Sequence, residues 1–121
     1  MKRDLDLIRS ILLQIEGMDS GSKRATVDSF LALCDDRDLL AWHIKMLIDA
    51  GFIEAIDISD KLGTNYIISC MTFSGCDYLD AIRSESIWQE TRAKLQQFGG
   101  QVSLDVVKQL ASALIKQQLG F

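Results

Sequence analysis

Residues 36–71 constrain what this chain can fold into more than any other stretch. Leu40, Ile44, Leu47 and Ile48 recur at three- and four-residue steps, the spacing of a helix with one apolar stripe. Asp35, Asp36 and Asp38 stand ahead of that stripe, where carboxylates favour the positive end of a helix dipole, and Gly51 follows it where a left-handed terminating residue is wanted. Two β-rich runs come next, residues 52–58 and 66–71, and the loop between them is long enough for a hairpin with a projecting tip. A helix that gives way at once to a hairpin points to an α+β fold. The outer face of that helix holds Asp38, Trp42, Lys45 and Asp49.

The flanks read as helices with glycine and short polar residues as punctuation, since the chain has no proline. Over residues 3–16, Leu5, Ile8, Leu12 and Ile15 keep a helical step, with Leu7, Ile11 and Leu13 widening the stripe. Gly17 ends this helix, and Asp19, Ser20, Gly21 and Ser22 favour a loop. Residues 26–34 fit a short buried helix about as well as a short strand, through Val27, Phe30, Leu31 and Leu33, with a lean toward the helix. After the hairpin, Thr72 or Ser74 caps a helix through Cys76, Tyr78, Leu79 and Ile82, and Gly75 permits a close approach of backbones in its first turn. Ser86 with Gln89 has the capping-box spacing and opens a helix through Trp88 and Leu95 to Phe98, stopped by Gly99 and Gly100. Ser103 caps a last helix whose Leu104, Val107, Leu110, Ala111 and Leu114 share one face, with Gly120 at its end.

At 121 residues the chain is too short for two independent cores, so a single domain is expected, with residues 1–83 as its core and residues 84–121 as a helical extension. Hydrophobic residues at 48% and charged residues at 25% match an ordinary globular protein and exclude a disordered one. No apolar run approaches the roughly eighteen residues that cross a bilayer, and the first residues lack the apolar core of a secretory signal, which places the chain in the cytosol. Cys34, Cys70 and Cys76 have no paired or zinc-ribbon spacing and read as buried free thiols.

The order helix, short element, helix, hairpin, helix resembles that of winged helix-turn-helix domains. Ile44-Lys45-Met46-Leu47-Ile48-Asp49-Ala50-Gly51-Phe52-Ile53 looks like the end of a recognition helix leading into the first wing strand, and Met71-Thr72-Phe73-Ser74-Gly75-Cys76-Asp77-Tyr78-Leu79 like the second wing strand turning into the next helix. The chain is also similar along nearly its full length to domain-of-unknown-function family 2513, a bacterial and phage-borne set of small proteins. The similarity runs through Met1-Lys2-Arg3-Asp4-Leu5-Asp6-Leu7-Ile8-Arg9, Trp42-His43-Ile44-Lys45-Met46-Leu47, Leu79-Asp80-Ala81-Ile82-Arg83 with Trp88, and Gly99-Gly100-Gln101-Val102-Ser103. This resemblance implies a shared fold and a prokaryotic or phage setting, and brings no activity with it.

Two functional classes follow. If the recognition helix enters the major groove of double-stranded DNA as a regulator's would, Arg37 and Lys45 are its only suitable side chains, helped by Lys2, Arg3, Lys23, Arg24, Lys61 and Asn65. Each of these, taken singly, reads more readily as a solvated surface residue than as a DNA contact. The net charge of −4, with Asp35, Asp36, Asp38 and Asp49 around the two cations, favours a protein partner instead, with Trp42 at the docking surface or, on the bland reading, in the core. Fold analogy alone ranks DNA binding first. Trp88, Leu95 and Phe98 form a further apolar surface that packs within the chain or pairs with a second copy in a homodimer. His43 is the only histidine, reads as a structural one, and rules out a multi-histidine metal site within one chain. With no phosphate loop, nucleophile elbow or paired-carboxylate signature, neither catalysis nor a cofactor is expected.

Overall fold

The computed structural model describes residues 1–18 and 25–121. The loop expected at 19–22, and with it Lys23 and Arg24, lies outside the described residues. Among these, five α-helices and one antiparallel hairpin are arranged in an order compatible with a winged helix followed by C-terminal helices. They fall into two compact units, Met1–Cys76 and Asp77–Phe121, and the division comes inside a helix.

In the first unit, α1 spans Leu5–Glu16 and begins where the Asp4 carboxylate accepts the Leu7 N–H at 3.1 Å, two residues later than the periodicity alone implies. The ambiguous stretch resolves into a single 3-10 turn, Val27–Phe30, with Val27 and Phe30 fully buried. Only two side chains there point inward, so the segment needs no longer helix to bury them. Before it, Ala25 makes a one-residue bridge to Ile68, a pairing that no local pattern announces. α2 spans Arg37–Asp49 with Asp36 as its cap, and Gly51 takes the expected left-handed backbone at φ 75°. β1 (Ile53–Asp57) and β2 (Tyr66–Met71) pair antiparallel, with a bulge between Glu54 and Ala55. α1 packs on α2 and β2, and α2 packs on the 3-10 turn and β1. Their inner faces bury Ile8, Ile11, Leu12, Leu40, Ile44, Leu47, Ile53 and Ile68.

His43 sits in this core with no exposed surface. The Asp4 N–H, which can only donate, reaches its Nε2 at 2.8 Å, and the Leu39 carbonyl, which can only accept, lies 2.8 Å from Nδ1. The ring therefore carries its proton on Nδ1 and is neutral, and it fastens the start of α1 to α2. Both nitrogens are engaged, so neither has a lone pair to offer a ligand. Replacing His43 by phenylalanine keeps the volume but strands the Asp4 N–H and the Leu39 carbonyl. We expect a loss of about 1–3 kcal/mol, read as a lower urea midpoint; an unchanged midpoint would show that the histidine is not a structural fastener.

α3 spans Phe73–Ile82 and crosses from the first unit to the second. Thr72, not Ser74, opens it: its Oγ1 accepts the Gly75 N–H at 3.1 Å and donates to the Gly51 carbonyl. In the second unit α4 spans Glu85–Gln96 and α5 spans Leu104–Leu119, packed on each other. α4 begins earlier than the capping-box spacing at Ser86 implies, because Ser84 Oγ accepts the Ile87 N–H and Gln89 turns to Glu85 instead. Gly99, Gly100 and Gly120 all have positive φ, ending the two helices where the sequence places their stops.

Candidate functional site

Two of the eight residues put forward for duplex contact are struts of the first unit. Arg37 opens α2 and donates through Nε to the Asp28 carboxylate at 2.8 Å and through Nη1 to the Thr64 carbonyl at 2.9 Å. It thereby ties α2 to the 3-10 turn and to the hairpin loop. Asn65 is half-buried, and its Oδ1 accepts the N–H groups of Tyr66 at 2.9 Å and Val27 at 3.3 Å. Its side-chain carbonyl is therefore already occupied. These contacts join residues 27 and 38 positions apart in the chain, a separation at which no sequence pattern signals pairing.

The other described cations of this set lie on α2, at the hairpin tip and ahead of α1. Lys45 donates to the Asp49 carboxylate at 2.7 Å one turn further along α2, both side chains being about half exposed. That hydrogen bond first, and then the carboxylate's charge, raise the lysine above its ordinary pKa, which keeps it protonated beside a charge that cancels its field. Lys61 is exposed at the hairpin tip, where Asp60 and Gly63 exchange backbone hydrogen bonds of 3.1 and 3.2 Å. The same turn holds Leu62 out with 97% of its surface exposed. Ahead of α1, Lys2 is exposed and Arg3 half-buried.

The charge around α2 is acidic on balance. Asp35, Asp36, Asp38 and Asp49 outnumber Arg37 and Lys45 on the helix and its cap, and no cation stands between Lys45 and Lys61. Residues 1–76 hold eight lysines and arginines against twelve aspartates and glutamates, and residues 77–121 five against five, so the net charge of −4 falls wholly on the first unit. Trp42 is half-buried on α2, its ring edge-on to His43 with centroids 5.2 Å apart.

The apolar trio on α4 divides. Trp88 and Leu95 are buried, 1% and 3% exposed, while Phe98, just past the helix, is 76% exposed. The first two thus offer a partner no surface, because the face of α4 that carries them is already covered. The cysteines also differ from expectation: Cys34 is half-buried and Cys70 and Cys76 are exposed. Partial desolvation, and then a hydrogen bond to Glu54, push the Cys70 thiol up, so it is a poor nucleophile despite its exposure. Among the described residues no three histidine, cysteine or acidic side chains come together as a metal site, and no helix is long and apolar enough to cross a membrane.

Comparison with known proteins bears on the chain as a whole. The family model described as "Hypothetical protein (DUF2513)" matches residues 2–101. A Haemophilus influenzae protein, described as an uncharacterized protein, is 36% identical over 119 residues, which cover 98% of this chain and 99% of that relative. No solved structure matches. The family match takes in the first unit from its second residue and reaches past α4 in the second, and the relative aligns over nearly the full length of both chains; the chain belongs to the DUF2513 family.

Proposed function

We propose that this chain is a non-enzymatic, cytoplasmic protein-interaction module in which the outer face of α2, with Trp42, receives a basic segment of a protein partner. One observation carries the reading: both cations of α2 already hold a carboxylate, Arg37 on Asp28 and Lys45 on Asp49, on a helix that is acidic on balance. Duplex affinity comes largely from lysine and arginine contacts to phosphate. An acidic face repels that polyanion at long range and draws in a polycation. The second reading, a regulator whose α2 and hairpin dock on DNA, is favoured by the helix-then-hairpin order and by Lys61 at the exposed tip; it rests on analogy of fold.

Fluorescence anisotropy at several salt concentrations separates the two, using a labelled mixed-sequence duplex and a labelled oligolysine. The oligolysine is expected to bind, more weakly as salt rises, and the duplex not to bind even at low salt. Reversing Asp35 and Asp38 to lysine, which leaves the Asp36 cap intact, weakens oligolysine binding about tenfold. Glu90→Lys on α4 leaves it unchanged. Duplex binding with a steep salt slope, lost in a Lys45→Glu/Lys61→Glu variant, would replace this reading with groove docking; equal loss from Glu90→Lys would reduce it to non-specific charge.

A further inference from the structure

β2 is paired on both sides at its middle, with Ala55 across from Ile68 on one side and Ala25 bridged to it on the other. β1 is paired on one side only among the described residues, which leaves an open strand edge. The hydrogen-bond pattern says which groups line that edge. The Ile58 N–H donates to the Asn65 carbonyl, so backbone groups point inward at residue 58 and outward one residue earlier, at Asp57. The Ile68 N–H donates away from β1, to the Ala25 carbonyl at 2.8 Å, so its partner Ala55 likewise turns its own groups outward. Two residues thus offer N–H and C=O groups to an added strand.

The side chains along this edge limit what could be added. Ile56 and Ile58 are 53% and 39% exposed on one face, while Glu54, Asp57 and Asp60 are exposed carboxylates with no lysine or arginine among residues 46–60. The Asp57 carboxylate accepts the Ser59 N–H at 2.8 Å, and hydrogen bonds from Ser59 hold it below the usual carboxylate range, so it remains anionic. A second copy of this chain would bring the same carboxylates, Glu54, Asp57 and Asp60, to an edge that already carries them, with no lysine or arginine on either strand to offset them. A basic strand meets no such penalty.

We propose that the open edge of β1 is a docking site for an extended basic peptide segment of a partner, which joins the hairpin as a further strand through the backbone groups of Ala55 and Asp57. Its apolar residues lie on the face of Ile56 and Ile58, and its lysines or arginines lie on the opposite face, against Asp57. The basic character of this partner rests on the function proposed above, but the mode of binding does not.

The test uses the whole chain and a labelled peptide of alternating lysine and valine, with a second peptide of the same sequence N-methylated at every residue, so that neither of its edges can donate. The first peptide is expected to bind and to slow amide hydrogen exchange at Ala55 and Asp57 roughly tenfold at saturation. The methylated peptide, which cannot complete the strand pairing, is expected not to bind, and Asp57→Lys is expected to weaken the first about two- to fivefold. Equal binding of both peptides without protection at Ala55 and Asp57 overturns strand addition and leaves the acidic-face reading standing. Binding of neither peptide overturns both.

Discussion

Gly75→Ala is expected to cost about 3 kcal/mol or more, a large share of the 5–15 kcal/mol that a domain has in total. Gly75 lies in the first turn of α3, where the chain leaves the hairpin, and it is buried. A Cβ there would overlap the Phe52 carbonyl oxygen and lie 2.9 Å from that carbonyl's carbon and 2.7 Å from Met71 Cγ. Met71 is flexible and could swing away. The Phe52 carbonyl cannot, because it accepts the Thr72 N–H at 2.9 Å and so anchors the hairpin's return into α3. Either that hydrogen bond breaks or α3 shifts off the hairpin. Gly51→Ala is the control: its backbone is left-handed but nothing lies within 4 Å of an added Cβ, so only the conformational penalty of about 1–2 kcal/mol applies. Urea unfolding of the two variants decides. Equal shifts of the midpoint would mean that the close approach at Gly75 does not exist in solution.

This close approach illustrates how far the sequence could be read. Gly75 was legible as a helix residue suited to a tight approach, because a glycine in the first turn after a cap is a local signal. What it approaches was not, since Phe52 lies across the hairpin. The same division runs through the fold. Asp36, Gly51, Ser103 and Gly120 mark helix ends through bonds within their own turn, and the structure places them as read. At α4 two serines compete, and Ser84 prevails because Gln89 bonds to Glu85 and no longer reaches back to complete a box at Ser86. Residues 26–34 were ambiguous because four apolar residues suit either period. The outcome there is settled by long-range partners, among them Asn65, whose Oδ1 receives the Val27 N–H, and Ile68, which bridges to Ala25.

The candidate site was legible in charge but not in pairing. That α2 is acidic around Arg37 and Lys45 can be counted from the sequence, and Asp49 is the natural partner of Lys45 at a four-residue helical step. That Arg37 would reach Asp28 and Thr64, and so act as a strut between the helix and the hairpin loop, depends on how the chain folds back over a separation of 27 residues. The open edge of β1 is of the same kind. Its exposed isoleucines and carboxylates are visible in the sequence, but which side of the hairpin is closed follows only from the Ala25 bridge.

Trp88→Ala is expected to destabilise the chain by about 3–5 kcal/mol, the range for removing a large aromatic side chain from a packed core. Trp88 heads the fully buried side chains by volume, and Ile87, Thr91 and Leu95 on α4 are buried with it. A surface tryptophan awaiting a partner would behave otherwise: its loss would leave stability within about 0.5 kcal/mol. Fluorescence separates these outcomes without unfolding anything, since Trp42 and Trp88 are the only tryptophans. In a Trp42→Phe variant the remaining emission, from Trp88, should be blue-shifted and resist acrylamide quenching, whereas red-shifted and readily quenched emission would put Trp88 on the surface. The companion change, Phe98→Ser, removes the one member of the α4 trio that stays exposed, and is expected to leave stability within about 0.5 kcal/mol. If Trp88→Ala is severe and Phe98→Ser is silent, the apolar run on α4 exists to fill the second unit's core, and the surface left for a homodimer there shrinks to a single phenylalanine.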